Sequence, residues 1–332
     1  MAHRHKLFWT RVIARITSPA FSPSREPGCD PRTRANTARA PRSRPFAGRA
    51  QKRGALVPRI LLTGERGFLG SSIAAELGRR GYAFTTLPCR LEFLEPASLP
   101  ADWVFHCAGA LAHRPEDWQR ANVVGTEKLL AALPPAAPVI HLSSRSVYDG
   151  SGSRAITEEA PLAPAKGYGH SKLAAERAVQ ASGHAHLILR ATTLFGCAGN
   201  DTLGEFNFPA QALRALARGE PVQVFEPDRL TDYLEVKTLA RALVDLLEVA
   251  PQWNRIYNLA GPARSLHGFI EDLAARANAA GLPTARLIHL PGPAPRGPVL
   301  DTGRWATTFG PLPTPPDARV FDEMISRLNP ST

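Results

Sequence analysis

The chain has 332 residues, 44% of them hydrophobic, and a formal net charge of +11. All of that excess lies in residues 1–55, which hold thirteen Arg and Lys against Glu26 and Asp30, so the rest is neutral and offers no basic groove for nucleic acid. Cys29, Cys89, Cys107 and Cys197 are too widely spaced for a zinc site or a disulfide framework and fit a reducing, cytoplasmic setting, and no run approaches the ~20 apolar residues of a membrane span.

Residues 1–56 are rich in Pro, Arg, Ser and Ala and poor in core formers, the composition of a disordered basic tail. A targeting segment and an anion-binding arm share that composition. The favoured reading is a start placed upstream of the natural one in a GC-rich coding sequence, because a fold-starting strand begins directly at Val57-Pro58-Arg59-Ile60.

From Arg59 short apolar runs alternate with amphipathic stretches. "RILLTG" reads as a strand, "SSIAAELGRRG" as a helix closed by Gly81, and "YAFTTL" as the second strand. "DWVFHCAG" is a strand, "DWQRANVVGTEKLLAAL" a helix, "PVIHLSS" a strand, "YGHSKLAAERAVQAS" a helix and "HLILRATTLFG" a strand. Near-continuous apolar strands alternating with helices predict an α/β fold: a doubly wound parallel sheet of the Rossmann kind, covered on both faces, over residues 57–196. Residues 197–332 read as a small irregular C-terminal substrate lobe, with strands and helices returning to the first domain and a proline-rich irregular run, "PRGPVLDTGRWATTFGPLPTPPDA", before a last helix.

The first strand ends in "TGERGFLGSS", so Gly64, Gly67 and Gly70, with Phe68 and Leu69 between the last two, open the first helix. A glycine turn lets the backbone approach a pyrophosphate, and the helix start supplies N–H donors. No acid stands between Glu76 and Glu92 to take the ribose hydroxyls at the end of the second strand; Arg66 and Arg90 stand there instead, which favours NADP over NAD slightly. Ala108 and Gly109 end the next strand in small residues that leave room for a cofactor. Asn122 reads equally as a residue behind the cofactor and as a polar residue on a helix face.

Ser143 and Ser144 fall at the end of "HLSSRSVYD", and Tyr168 and Lys172 lie four apart in "YGHSK", on one face if that segment is helical. On spacing alone the pair is either a surface coincidence or an acid with its own cation. Taken together and in order, "TGERGFLG", "CAG", "NVVGT", "LSSRSVYD", "EEAPLAPAKGYGHSK" and "LRATTLFG" resemble the extended short-chain dehydrogenase/reductases, in particular the NAD-dependent epimerase/dehydratase family. The likeness runs from about Arg59 to Gly261 and continues weakly through "LTDYLEV", "IYNLAGP" and "LDTGRWATTFG".

The resemblance implies that Tyr168 is the catalytic acid and base, Lys172 its partner and a holder of the cofactor ribose, and Ser144 the third member. Lys172 and the cofactor ring are expected to draw the phenol's pKa toward working pH. Arg145 and Ser146 follow Ser144 where dehydratases carry Asp-Glu, which disfavours elimination of water. Thr193 stands where epimerases carry Asn, and Thr231 where they carry a diphosphate-gripping Arg, leaving Arg229 or Arg296 as substitutes. The expected activity is that of an NAD(P)-dependent sugar epimerase or reductase, with a nucleotide sugar as the small-molecule substrate; a carbonyl/alcohol oxidoreductase on a non-sugar substrate and a non-catalytic cofactor sensor are the alternatives. The resemblance also implies a homodimer built on the helices of Asn122–Leu130 and Tyr168–Val179.

Overall fold

A computed structural model describes residues 58–111, 115–148, 155–165, 167–205, 207–283, 285–290 and 299–328; the basic tail and Arg296 lie outside the described residues. In chain order the first part comprises β1 (Ile60–Thr63), α1 (Phe68–Arg80), β2 (Phe84–Thr85), β3 (Trp103–His106), α2 (Pro115–Trp118), a π-helical turn (Gln119–Val124), α3 (Gly125–Ala132), β4 (Val139–Ser144), α4 (Gly167–Ala181) and β5 (His186–Ala191). The second comprises β6 (Thr193–Phe195), α5 (Phe208–Ala217), β7 (Val222–Phe225), β8 (Leu230–Glu235), α6 (Val236–Asp245), β9 (Arg255–Leu259), β10 (Ala263–Ser265), α7 (Leu266–Ala279), β11 (Leu287–Leu290), α8 (Gly303–Phe309) and α9 (Asp317–Ser326).

Six strands form a wholly parallel sheet in the order β2–β1–β3–β4–β5–β9. Alternate residues of one strand go to opposite cores: Ile60 and Leu62 meet Ile73, Leu77, Leu239 and Leu243 under α1 and α6, while Leu61 meets Val104, Leu129, Val139 and Val179 under α3 and α4. Both faces are therefore apolar, which is why the strands read as continuous hydrophobic runs. The chain leaves β1 on one side for β2 and returns on the other for β3. The crevice of such a sheet opens at that switch point, beyond the carboxyl ends of the strands.

Three details differ from the sequence expectation. The second strand is only Phe84–Thr85: it is an edge strand paired to β1 alone, and the chain turns at Pro88 into a short 3-10 turn at Leu91–Phe93. "HLILRATTLFG" is two strands, broken at Thr192; β5 stays in the large sheet while β6 crosses to pair with β8. The C-terminal lobe is more regular than expected. It holds a three-stranded sheet, β10–β8–β6, a two-stranded sheet, β11–β7, and α5, α7 and α9 around its own core of Phe195, Phe269, Phe321 and Met324. Within the proline-rich run α8 forms because Trp305 is buried edge-on against Tyr257, with ring centroids 5.6 Å apart.

Three crossings join the lobes along one seam: β5 to β6, β8 to α6, and β9 to β10. Thr192 N–H donates to the Leu259 carbonyl there (2.9 Å), and a Cβ on Gly261 would stand 2.0 Å from the Tyr233 carbonyl oxygen. Among the described residues no helix is long and apolar enough to cross a membrane, no Cys is disulfide-bonded, and no cluster of three or more His, Cys, Asp or Glu could hold a metal.

Candidate active site

The glycine turn is shaped by backbone contact. Gly64 takes φ +76°, and a Cβ on it would lie 2.7 Å from the Ala108 nitrogen; one on Gly70 would lie 1.9 Å from the Gly64 carbonyl oxygen. The turn, α1 and the end of β3 thus meet at distances that side chains forbid. Gly67 caps α1 without a side chain and no acid stands in the first turn, so no carboxylate of that turn occupies the N–H groups of the helix start. Phe68 and Leu69 turn their side chains into the core. A cradle that any Cβ would fill, open at a helix start, fits the pyrophosphate of a dinucleotide.

Ala108 and Gly109 continue from β3 across that cradle. Asn122 is 1% exposed and clamps the next residue, accepting from Ala110 N–H (2.7 Å) and donating to its carbonyl (3.2 Å) and to Ser171 Oγ (3.0 Å). A Cβ on Gly109 would lie 3.0 Å from Asn122 Oδ1 and 3.9 Å from Lys172 Nζ. The π-helical turn, which aims Asn122 inward, left no mark on the sequence pattern. Behind it His106 bridges Thr63 and Thr126, each at 2.9 Å, and burial depresses its pKa to about 3, so it stays neutral.

Ser144, Tyr168 and Lys172 come together where β4 ends beneath α4. Ser144 stands close enough to the Tyr168 phenol to hold its pKa down, and its hydroxyl accepts from Ser146 N–H at 3.2 Å. Burial pushes the phenol up to about 12, against the opposing effect of Ser144. Lys172 is buried, and its ammonium donates to the Leu142 carbonyl at 2.5 Å; burial lowers it to about 8, with Glu176 the largest opposing influence. Gly169 brings α4 down onto the turn after Ser144: a Cβ there would stand 2.2 Å from the Ser146 carbonyl oxygen. Trp118 closes one side of Tyr168, its ring centroid 6.5 Å away, and Gly167 leaves room for the indole.

Other residues singled out in the sequence fall apart from this cluster. Ser143, alternating with Ser144, points away from Tyr168 and donates to Glu176. Arg145, next to Ser144, pairs with Asp232 at 2.6 Å across the lobes, and Asp232 also accepts from Thr192 Oγ1 and Leu300 N–H. Thr231 is buried, Thr193 begins β6, and Arg229 lies between β7 and β8 near Glu226 at 3.8 Å. Arg66 and Arg90 are exposed on the surface, each near an acid, Glu65 at 3.5 Å and Glu92 at 3.8 Å. The sequence reading missed Glu176 and Arg190; a Glu four residues after Lys172 was the available signal.

This fold and its glycine cradle define an NAD(P)-dependent enzyme of the extended short-chain dehydrogenase/reductase class. The chain belongs to the RmlD substrate binding domain family, whose profile matches residues 58–327. It is 30% identical over 240 residues to UDP-glucose 4-epimerase of Azospirillum brasilense, covering 56% of this chain and 67% of that one. It is 27% identical over 262 residues to dTDP-4-dehydrorhamnose reductase of Burkholderia thailandensis, covering 70% and 84%. The match spans 64% of a probable low-salt glycan biosynthesis reductase of Haloferax volcanii and 59% of the Streptomyces griseus dTDP-4-dehydrorhamnose reductase, less than two thirds of either. The fold is similar to MoeE5 in complex with UDP-glucuronic acid and NAD and to RMD from Pseudomonas aeruginosa complexed with NADPH, each at TM-score 0.67 and 24% identity over 81% of this chain and 98% of the other.

Proposed function

We propose that the chain is a nucleotide-sugar reductase or epimerase in which Tyr168 moves the proton, Ser144 holds the reacting oxygen, and Lys172 supplies the adjacent charge and binds the cofactor ribose. The observation that carries this reading is the juxtaposition of Ser144 and Tyr168 at the end of β4, with the Lys172 ammonium one helical turn away and beside Gly109. Bound NAD(P) supplies or accepts hydride. The backbone of Gly64, Gly67, Phe68, Leu69 and Gly70 would hold its pyrophosphate, and Ala108 and Gly109 its neighbouring ribose. Tyr168, a neutral phenol at neutral pH, donates its proton to a carbonyl oxygen that Ser144 orients, or takes it back from the corresponding alcohol. Support for a sugar nucleotide as substrate comes from the relatives, epimerase and reductases alike.

The assay that tests this offers UDP-glucose, UDP-glucuronic acid and dTDP-4-dehydrorhamnose in turn, each with NADH and NADPH or their oxidised forms. Tyr168→Phe should lose roughly 10²–10⁴-fold in turnover while binding the cofactor as the parent does. Wild-type turnover in that variant would refute the assignment.

For the cofactor we infer a modest preference for NADPH. Arg66 and Arg90 are exposed and held by long ion pairs, so either guanidinium can turn to a 2′-phosphate, whereas Glu65 beside Arg66 opposes it. Fluorescence titration should give tighter NADPH than NADH binding, and Arg66→Ala and Arg90→Ala should each narrow the gap. Equal affinities in the parent would remove the idea. A homodimer through α3 and α4 is also part of this reading. The leucines of these helices are buried within the chain, so the pairing surface would be Glu127, Lys128, Ala131, Arg177 and Ala181. A monomer in sedimentation at micromolar concentration would exclude it.

A further inference from the structure

One turn beyond Lys172 on the same face of α4 stands Glu176, 1% exposed. Its carboxylate accepts from the hydroxyl of Ser143, the residue before Ser144, and from Arg190 of β5 at 2.8 Å. Ser143 and Arg190 are register partners on neighbouring strands, so one carboxylate joins the catalytic helix to two central strands. Arg190 is 2% exposed and anchored from behind, donating to Tyr148 Oη at 2.7 Å, which in turn donates to Asn258 Oδ1 at 2.9 Å.

The groups around the Lys172 ammonium are Tyr168 and Glu176 on its own helix, His106 and Cys107 at the end of β3, and His141 on β4. Burial holds His106 at about 3 and His141 well below its ordinary value, and raises the Cys107 thiol to about 12, so all three are neutral at neutral pH. Tyr168 is neutral as well. Glu176 is charged, and its carboxylate is shared with the Arg190 guanidinium at 2.8 Å.

We propose that Glu176 is a positioning residue: through Ser143 and Arg190 it locks the Lys172 turn of α4 to the strand end that carries Ser144. The proposal rests on the functional reading above, in which Lys172 acts as a cation. It assigns Ser143 a role distinct from that of Ser144: the first serine braces the helix and the second faces the reaction.

The test is a carbon-13 NMR titration of the lysine-labelled full chain, with the Lys172 signal assigned by its loss in Lys172→Met. In the parent the signal should titrate near 8. In Glu176→Gln, which keeps the shape and removes the charge, the midpoint should fall by about one unit or more. An unchanged or raised midpoint in the folded variant would overturn the proposal. Ser143→Ala retains the carboxylate and cuts the tie, and serves where Glu176→Gln does not fold. It should bind NADPH several-fold more weakly while still folding; parental affinity would overturn the tie. Neither measurement uses a sugar, so each can fail while Tyr168→Phe still upholds the dehydrogenase assignment.

Discussion

Lys172 is a buried ammonium donating to one backbone carbonyl, and burial lowers its pKa from 10.5 to about 8. The unfolded chain holds its proton up to the higher value and the folded chain releases it above the lower one, so stability rises with pH between the two. Below about pH 8 the charge costs the fold about 3 kcal/mol at about 1.4 kcal/mol per unit. Lys172→Met should therefore melt higher than the parent at pH 7, with the gain shrinking toward pH 10.5, while activity is lost; calorimetry across that range checks both. Ser144, Tyr168 and Lys172 were legible in the sequence because their motifs keep fixed spacing. The partners of Ser143 were not, since the two serines alternate across the strand and only the packed helix shows which faces Glu176. His141, whose two ring nitrogens are buried without a hydrogen-bond partner, gave no signal at all.

At the level of elements, α4 sits close to the β4 end because two glycines in "KGYGHSK" have no side chain. Gly169→Ala would drive a methyl group into the Ser146 carbonyl, backbone against backbone, and must lift the helix from Ser144. Turnover should fall at least tenfold and the melting temperature with it. Gly78→Ala is the control: it lies on the exposed side of α1 with nothing within 4 Å, and should stabilise by roughly 0.5–1 kcal/mol. If both variants behave alike in melting and assay, close approach is not what fixes the site. The parallel strands and amphipathic helices were legible from their periods. The π-helical turn around Asn122 and the break at Thr192 were not, because each depends on a neighbour distant in sequence: Ala110 and Ser171 in one case, Asp232 and Leu259 in the other.

On the scale of the whole molecule, two apolar cores are clasped by Asp232, which is 1% exposed and takes hydrogen bonds from Arg145, Thr192 and Leu300. Removing the carboxylate takes the acceptor from the buried Leu300 N–H and loosens Arg145; Asp232→Ala should cost roughly 1–3 kcal/mol, measured by urea unfolding, and no measurable change would show the clasp to be idle. The neutral imidazoles of His106 and His141 add an acid limit. Both are held below their ordinary value, so stability is full above about pH 6.5 and falls as the pH drops, with the His106 share lost progressively toward about 3. Melting temperatures that stay flat from pH 7 to 4.5 would contradict this.

The seam between the lobes has a mechanical consequence. Three crossings only a few residues long, stitched by the Thr192–Leu259 hydrogen bond and by the bare backbone of Gly261, leave almost no slack. A swing of the small lobe would therefore pull on the large sheet at the end of β5, where Ala191 is the register partner of Ser144. A bound molecule that draws the lobes together would turn the serine's strand like a key, linking closure to the aim of a single hydroxyl.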